Sequence, residues 1–483
     1  MSRDSARREP SDGRTPPDRI SAITALDLPD ITGWRSAHLI GIGGAGMSGI
    51  ARLLVARGVV VTGSDLKDSR TLEGLRSNTE IFVGHRAEQV GNPDAVVVST
   101  AIPPDNPELQ EARRRGIPVV SRAQVLAALT RGHRTVAVAG THGKTTTTSM
   151  ITVMLSGIGS DPTFVVGGDL NEIGSGAGIG SGDIFVAEAD ESDGSFLLLH
   201  PDIALITNIE EDHLDFYAGR EEIEQAFTAF AKQATTVVAW WDDPGVRRAL
   251  QGASNVIREG SAPEYDVVVS SWEPRATGSR ARVDVLGTPV DVELAVPGEH
   301  NVRHAAEALA VAALLGLPLD RAAHALGSFT GVRRRFDLRG EAGGVRFVDD
   351  YAHHPSEVKV VLETARMGNP GRIVAVFQPH RYTRTASMWR ELGESMAGAD
   401  VAVITDVYAA GEPPIPGITG KLLVEALVEV APGKRVIYLP RRSDVAWLLA
   451  REVRQGDLVM TMGAGDITMA GEETLERLRE TAS

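Results

Sequence analysis

The stretch T-V-A-V-A-G-T-H-G-K-T-T-T-T, Thr135 to Thr148, places a β-branched run before a glycine turn, a lysine and four threonines. That order suits a buried strand ending in a loop whose backbone N–H groups and Lys144 wrap a polyphosphate. The helix that follows would turn its positive end to the same anion. ATP is the ligand implied, held by Gly140, Thr141, His142, Gly143, Lys144, Thr145 and Thr146. The usual nucleotide loop reads G-x-x-x-x-G-K-[ST]; here the residue five before Gly143 is Val138, so the loop is a shortened G-x-x-G-K-T form. A bare structural turn would not need strand, glycines, lysine and hydroxyls in this sequence.

The chain has 483 residues, length enough for about three domains. Its 49 basic and 64 acidic residues leave a net charge of −15, which opposes attraction to nucleic acid or to anionic membranes. With no cysteine, disulfides, thiolate metal sites and cysteine nucleophiles are excluded, and a reducing compartment is compatible. No apolar run approaches the roughly 18 residues of a membrane helix, and the charged start lacks the apolar core of a signal peptide. The expectation is a cytoplasmic protein whose residues 1–30 form a disordered polar tail.

Three α/β blocks follow, each alternating short apolar runs with helical stretches, as in helix-covered parallel sheets. The first, 31–131, carries expected strands at 37–42, 59–63, 81–83, 95–99 and 118–120. The second, 132–331, carries them at 135–139, 183–188, 203–207 and 236–240. There follow an antiparallel ribbon between 265 and 296 around Gly287 and a helix from about Asn301. The third, 332–483, opens on Arg333, Arg334 and Arg335 and carries strands at 345–348, 372–377, 401–405, 435–439 and 458–462.

In the first block G-I-G-G-A-G supplies Gly41, Gly43 and Gly46 between strand and helix, with Asp65 at the end of the next strand. The pattern suits a dinucleotide and so a nicotinamide dehydrogenase, yet the glycines require only that some diphosphate approach a helix start. A nucleotide-sugar meets that requirement. In the second block A-E-A-D-E-S-D puts Glu188 at a strand end, where it and the Thr145 hydroxyl suit Mg²⁺, and N-I-E-E-D-H-L-D delivers His213 from a neighbouring strand. The acids Asp190, Glu191, Asp193, Glu210, Glu211 and Asp212 read individually as solvated loop charges. In the third block D-D-Y-A-H-H-P, F-Q-P-H-R-Y-T-R-T, T-D-V-Y-A-A-G-E-P-P-I-P-G and G-A-G-D-I all follow expected strands and should meet on one rim. Arg381 and Arg384 there offer forks for a carboxylate or phosphate.

Taken together, these motifs in this order, with P-G-E-H-N (Pro297 to Asn301), resemble the Mur ligase family, and its alanine-adding branch in particular, from about Trp34 onward. The resemblance implies an N-terminal Rossmann-like domain for a uridine diphosphate sugar, a central P-loop-type ATPase with a mixed sheet, and a C-terminal Rossmann-like domain admitting the amino acid. It implies ATP, Mg²⁺, UDP-N-acetylmuramate and L-alanine as the reacting set. Residue by residue, it puts Gly43, Gly44, Ala45 and Gly46 on the diphosphate, and Asp65, His85, Ser99 and Thr100 near the uridine. His300 and Asn301 fall by the adenine, and Arg381 and Arg384 on the alanine carboxylate. Thr145, Glu188 and His213 are the implied metal ligands, and Asp350, Tyr351 and His353 complete the closed site.

Two departures stand out. His304 occupies the position where the family usually has a second asparagine, which puts one adenine contact in question. The helix 221–232 offers only Lys232 near its end, so no carbamylated lysine is assigned. A sister ligase that recycles a peptide onto the same sugar, a folate-type polyglutamate ligase, a dehydrogenase and a non-catalytic nucleotide-binding regulator are the alternatives. The first block argues against the two ligases, and motifs on two separate sheets argue against the regulator.

Overall fold

The computed structural model describes residues 19–482 apart from 215 and 276–277, and they form three sheets covered by helices. The first sheet is fully parallel, in the order Glu80–Val83, Val60–Asp65, Ser36–Ile40, Ala95–Val98, Val119–Ser121. Strand order reverses beside Ser36–Ile40, so the glycine loop leaving that strand sits at the switch point where open sheets receive ligands.

The second sheet has ten strands. Its strand Arg134–Ala139 lies between Ile184–Glu188 and Ile203–Ile206, parallel to both. The register explains the site: three neighbouring strands end together and release Lys144, Glu188 and the Asn208–His213 segment on one edge. The alternating ribbon expected from sequence is Val267–Arg275, Gly278–Val285 and Thr288–Leu294, paired antiparallel at the far side. Its turn places Leu286 and Gly287 at φ +52° and +80°, the geometry that joins two twisted strands through two residues.

The third sheet runs Asp337–Ala342, Val345–Asp350, Asp457–Met462, Arg372–Phe377, Val401–Ile404, Arg435–Tyr438, and only the first of these is antiparallel. Apolar clusters fill both of its faces, which is why its strands read as unbroken apolar runs. The first two sheets are docked: Ile50 and Leu54 of the helix Ala45–Ala56 belong to the same buried cluster as Val165 and Ala177 of the second sheet.

Two expectations need correction. The tail was expected to be disordered to residue 30, but Arg19–Thr24 is helical, with Ile20 buried and Ile23 and Leu28 packed on the shared core. Apolar side chains three apart within a polar stretch give one face to bury, which composition alone conceals. Residues 1–18 of that expected tail lie outside the described residues. The strands Thr163–Val165, Ala177–Gly178, Val256–Gly260 and Asp337–Ala342 were not anticipated; they are short or polar, and pairing with a longer neighbour creates them.

Candidate active site

The glycine-rich stretch after Ala139 turns at two glycines with no room for a side chain. A Cβ on Gly140, at φ +135°, would fall 2.1 Å from Thr207 Oγ1, and one on Gly143, at φ +83°, would fall 2.5 Å from His304 Cε1. The helix Lys144–Gly157 then begins. Lys144 Nζ donates to the carbonyls of Gly140 and Thr141 at 2.6 and 3.2 Å and lies 2.8 Å from the Glu191 carboxylate. Burial alone would lower its pKa, but Glu191 and Asp190 outweigh burial and raise it, so the ammonium stays charged beside the cavity.

Thr145 Oγ1 donates to Glu188 Oε1 at 3.1 Å, and Gly167 N donates to Glu188 Oε2 at 2.7 Å. Burial pushes the Glu188 carboxyl up against the pull of Lys144, which marks a negative charge that a further cation would stabilise. A carboxylate and a hydroxyl side by side are the hard oxygen donors that suit Mg²⁺. Beyond them His213, at φ +54°, brings Nε2 to 3.4 Å from Glu191 and 3.6 Å from Asp212. Burial opposes its protonation, yet the Glu191 bond raises its pKa. Imidazole and carboxylate are donors that a divalent cation takes, but Glu191 and Asp212 here hold Lys144 and Arg384, and the three side chains do not converge as one donor cluster.

Side chains of the third domain close over this edge. Arg384 forks onto Asp212 at 3.1, 3.2 and 3.3 Å, and both side chains are under a tenth exposed. Despite burial, Arg384 and then His213 hold the Asp212 carboxyl far below its ordinary range. Arg335 approaches Glu357 at 3.4 Å and lies over the Tyr351 ring. His353 is pushed down to about 4 by burial and is therefore neutral near pH 7. Arg381, at φ +70°, sits 3.9 Å from Glu412 on the cavity wall.

Most of these groups line a cavity of about 840 Å³ built from all three domains. Of the expected site residues it gathers Gly46, Thr100, Thr141, His142, Gly143, Lys144, Thr145, Glu188, His213, Tyr351, His353, Arg381 and Arg384. An adjoining cavity of about 240 Å³ receives Thr146, His300, Asn301 and Asp350. Burial, reinforced by His304, lowers His300 to about 3, and Asn301 Nδ2 donates to Pro297 O at 2.6 Å. The Asp350 carboxylate accepts from Phe336 N and Ala352 N at 2.7 Å each, and burial raises it to about 6. His304 bonds Glu307 at 2.9 Å and packs its ring against Gly143, so the histidine braces this glycine turn from below.

Gly43, Gly44, Asp65, His85 and Ser99 do not line the larger cavity. Asp65 accepts from Gly43 N at 2.9 Å, and His85 contacts Ser64 and the buried Glu108 at 3.0 and 3.3 Å. The backbone of Ala45 opens the helix beside them. Sequence reasoning missed the acids: Glu191 is 2 % exposed and joins Lys144 to His213, Asp212 holds Arg384, and Glu210 meets His142 at 3.4 Å. It also missed Arg122, which reaches Asp190 at 3.4 Å across the first domain boundary. Acids in tandem after a strand resemble ordinary loop charges, and only the strand register turns some of them inward.

The chain matches "Mur ligase family, catalytic domain" over residues 36–134, "Mur ligase middle domain" over 138–312 and "Mur ligase, glutamate ligase domain" over 334–465. It is 48% identical over 455 residues to a UDP-N-acetylmuramate–L-alanine ligase of Pelotomaculum thermopropionicum, covering 92% of this chain and 98% of that one. With the enzyme of the same name from Rubrobacter xylanophilus it is 49% identical over 451 residues, 91% of this chain and 99% of the other. Among solved structures, UDP-N-acetylmuramate-alanine ligase of Thermotoga maritima superposes with a TM-score of 0.80 at 29% identity, over 92% of this chain and 99% of that one. A murein peptide ligase of Psychrobacter arcticus gives 0.70 at 24% identity, over 92% and 98%, a likeness of fold. With all three domain matches in order along a chain that carries this cavity, the protein belongs to the Mur ligase family.

Proposed function

We propose that this chain joins L-alanine to UDP-N-acetylmuramate at the expense of ATP, giving UDP-N-acetylmuramoyl-L-alanine, ADP and phosphate, a step of peptidoglycan synthesis. The observation that carries the reading is near-half identity, over more than nine-tenths of the chain, to ligases of that name. The peptide-recycling alternative is carried by solved structures at 24% and 26% identity. Residues 31–131, 132–331 and 332–483 are read as the sugar-nucleotide, ATP and amino-acid domains. Among the described residues no helix is long and apolar enough to cross a membrane, and ATP with a nucleotide-sugar as co-substrates fits a cytoplasmic reaction.

A carboxylate is a poor acyl donor, so the γ-phosphoryl group of ATP passes first to the lactyl carboxylate of the sugar. The alanine amine then attacks the acyl phosphate, phosphate leaves with the bonding pair, and the amine loses a proton. Most of the task is neutralising and orienting charge. Lys144 is the fixed cation for the transferring phosphoryl group, with the loop N–H groups from Gly140 to Thr146 holding the rest of the polyphosphate. Mg²⁺ held by Thr145 and Glu188, and again beside His213, would supply charge neutralisation on the phosphates and the acyl phosphate. Adenosine is assigned to the smaller cavity at His300 and Asn301, and the diphosphate of the sugar to Gly43, Gly44, Ala45 and Gly46. Arg381 and Arg384 receive the alanine carboxylate; because the Arg384 fork already holds Asp212, Arg381 takes the larger share.

The test is phosphate release from ATP with UDP-N-acetylmuramate and, in turn, L-alanine, glycine, L-serine and the peptide that a recycling ligase would use. Release should require the sugar nucleotide and be fastest with L-alanine. Release driven by the peptide and indifferent to alanine refutes the reading.

A further inference from the structure

Where the middle domain meets the C-terminal domain, His142 Nε2, His354 Nδ1 and Glu210 Oε2 form a small triangle. Its sides are 3.2 Å between the two nitrogens, 3.4 Å from His142 to Glu210 and 3.4 Å from His354 to Glu210. Donors 2.0–2.2 Å from a tetrahedral Zn²⁺ lie roughly 3.3–3.5 Å from one another. The three sides therefore match three edges of such a shell. Two imidazoles, neutral once they ligate, and a carboxylate also make a donor set that zinc takes, with one position left over.

A second feature points the same way. The other ring nitrogen of His142, Nδ1, lies 3.3 Å from Glu357 Oε1. A carboxylate behind a ligating histidine fixes its orientation and raises its basicity, the common outer partner of zinc-bound imidazole. The His142 and His354 side chains are 13% and 8% exposed, and Glu210 lines the 240 Å³ cavity, from which water would fill the fourth position.

We infer that His142, Glu210 and His354 form a transition-metal site of the Zn²⁺ type, separate from the Thr145–Glu188 and His213 positions, that clamps the middle and C-terminal domains together. His142 belongs to the phosphate loop, Glu210 follows the strand Ile203–Ile206, and His354 precedes the helix Pro355–Met367. The three donors meet only when the domains are closed, so a bound metal resists the opening that product release requires. Ser356 Oγ donates to Glu210 Oε2 at 2.9 Å and the two imidazoles share a hydrogen bond, contacts that a bound metal would replace.

Full-length protein treated with chelator is titrated with Co²⁺ and, separately, with Zn²⁺. One equivalent of Co²⁺ should give the intense visible bands of four-coordinate cobalt, and one equivalent of Zn²⁺ should displace it. His354→Gln and Glu210→Gln should each abolish the bands and weaken Zn²⁺ by more than about 100-fold, while Glu357→Gln, an outer partner, weakens it by roughly 10–100-fold. Glu188→Gln and His213→Gln should keep the bands. Weak six-coordinate cobalt bands in the parent protein, bands that survive both His354→Gln and Glu210→Gln, or loss of the bands in Glu188→Gln overturns the site. The clamp is read as inhibition of phosphate release by one equivalent of Zn²⁺, relieved by chelator; Zn²⁺ bound at the triad without inhibition overturns it. This last arm rests on the ligase reading, whereas the cobalt and zinc titrations do not: a protein with the cobalt site but no turnover on any substrate keeps the site and loses the reading.

Discussion

Removing the Asp212–Arg384 pair should disable the enzyme chiefly through closure, beyond the smaller share Arg384 takes of the alanine carboxylate. The guanidinium makes contacts of 3.1, 3.2 and 3.3 Å to the carboxylate, with both side chains more than nine-tenths buried. A charged hydrogen bond contributes about 1.5–3 kcal/mol, and stranding one member of a buried pair costs about 3–5 kcal/mol. Because the pair spans two domains, that energy favours the closed state, so Asp212→Asn and Arg384→Gln should each lower kcat/KM for all three substrates. Asp212 also contacts His213, so single variants mix two effects. A double-mutant cycle in kcat/KM isolates the pair, and the expected coupling is about 1.5–3 kcal/mol, roughly a 10- to 150-fold shortfall from additivity. Single effects that add to within about 0.5 kcal/mol refute the reasoning. So does a loss confined to the KM for alanine, which would make Arg384 a simple carboxylate anchor.

Arg381→Ala should raise the KM for L-alanine by about 10- to 100-fold with little change for the sugar nucleotide, the value of one charged hydrogen bond; substrate-by-substrate kinetics decide it, and a rise only for the sugar would move this arginine to another ligand. Lys144→Ala should cut turnover by about 100-fold or more while UDP-N-acetylmuramate still binds, as calorimetry would report; turnover at the parent rate removes the ATP assignment. Titration with NAD(H) should give no binding where UDP-N-acetylmuramate saturates, and the opposite pattern revives a dehydrogenase. Burial disfavours a proton on His142, but Glu357 and Glu210 prevail and raise it from 6.5 to about 9. A raised folded-state pKa gives stability that is complete below about pH 6.5 and lost as pH rises through about 9, at most about 3 kcal/mol. In chelator-treated buffer the thermal midpoint of His142→Gln should therefore fall less between pH 6.5 and 9.5 than that of the parent chain, and parallel profiles would show that the proton contributes nothing.

Much of the architecture was legible because it is written in local order. A buried parallel strand needs an unbroken apolar run, so 135–139, 372–377 and 458–462 announced themselves, and a phosphate loop needs glycine, lysine and hydroxyls at fixed offsets, so Lys144 and Thr145 did too. What the sequence could not supply was which charges face each other, because that depends on strands that are neighbours in space and remote along the chain. Glu191 reads like its solvated neighbours until the strand Arg134–Ala139 pairs with Ile184–Glu188 and turns it toward Lys144. Nothing near Arg384 in the sequence names Asp212, 172 residues away, which domain docking brings to its guanidinium. That the His304 ring lies against Gly143, which lacks a side chain, is likewise a fact of packing. Order along the chain was enough to place most strands and helices; the pairing of their charges came from packing, since burial and a charged partner within about 3–4 Å depend on which elements lie side by side in space.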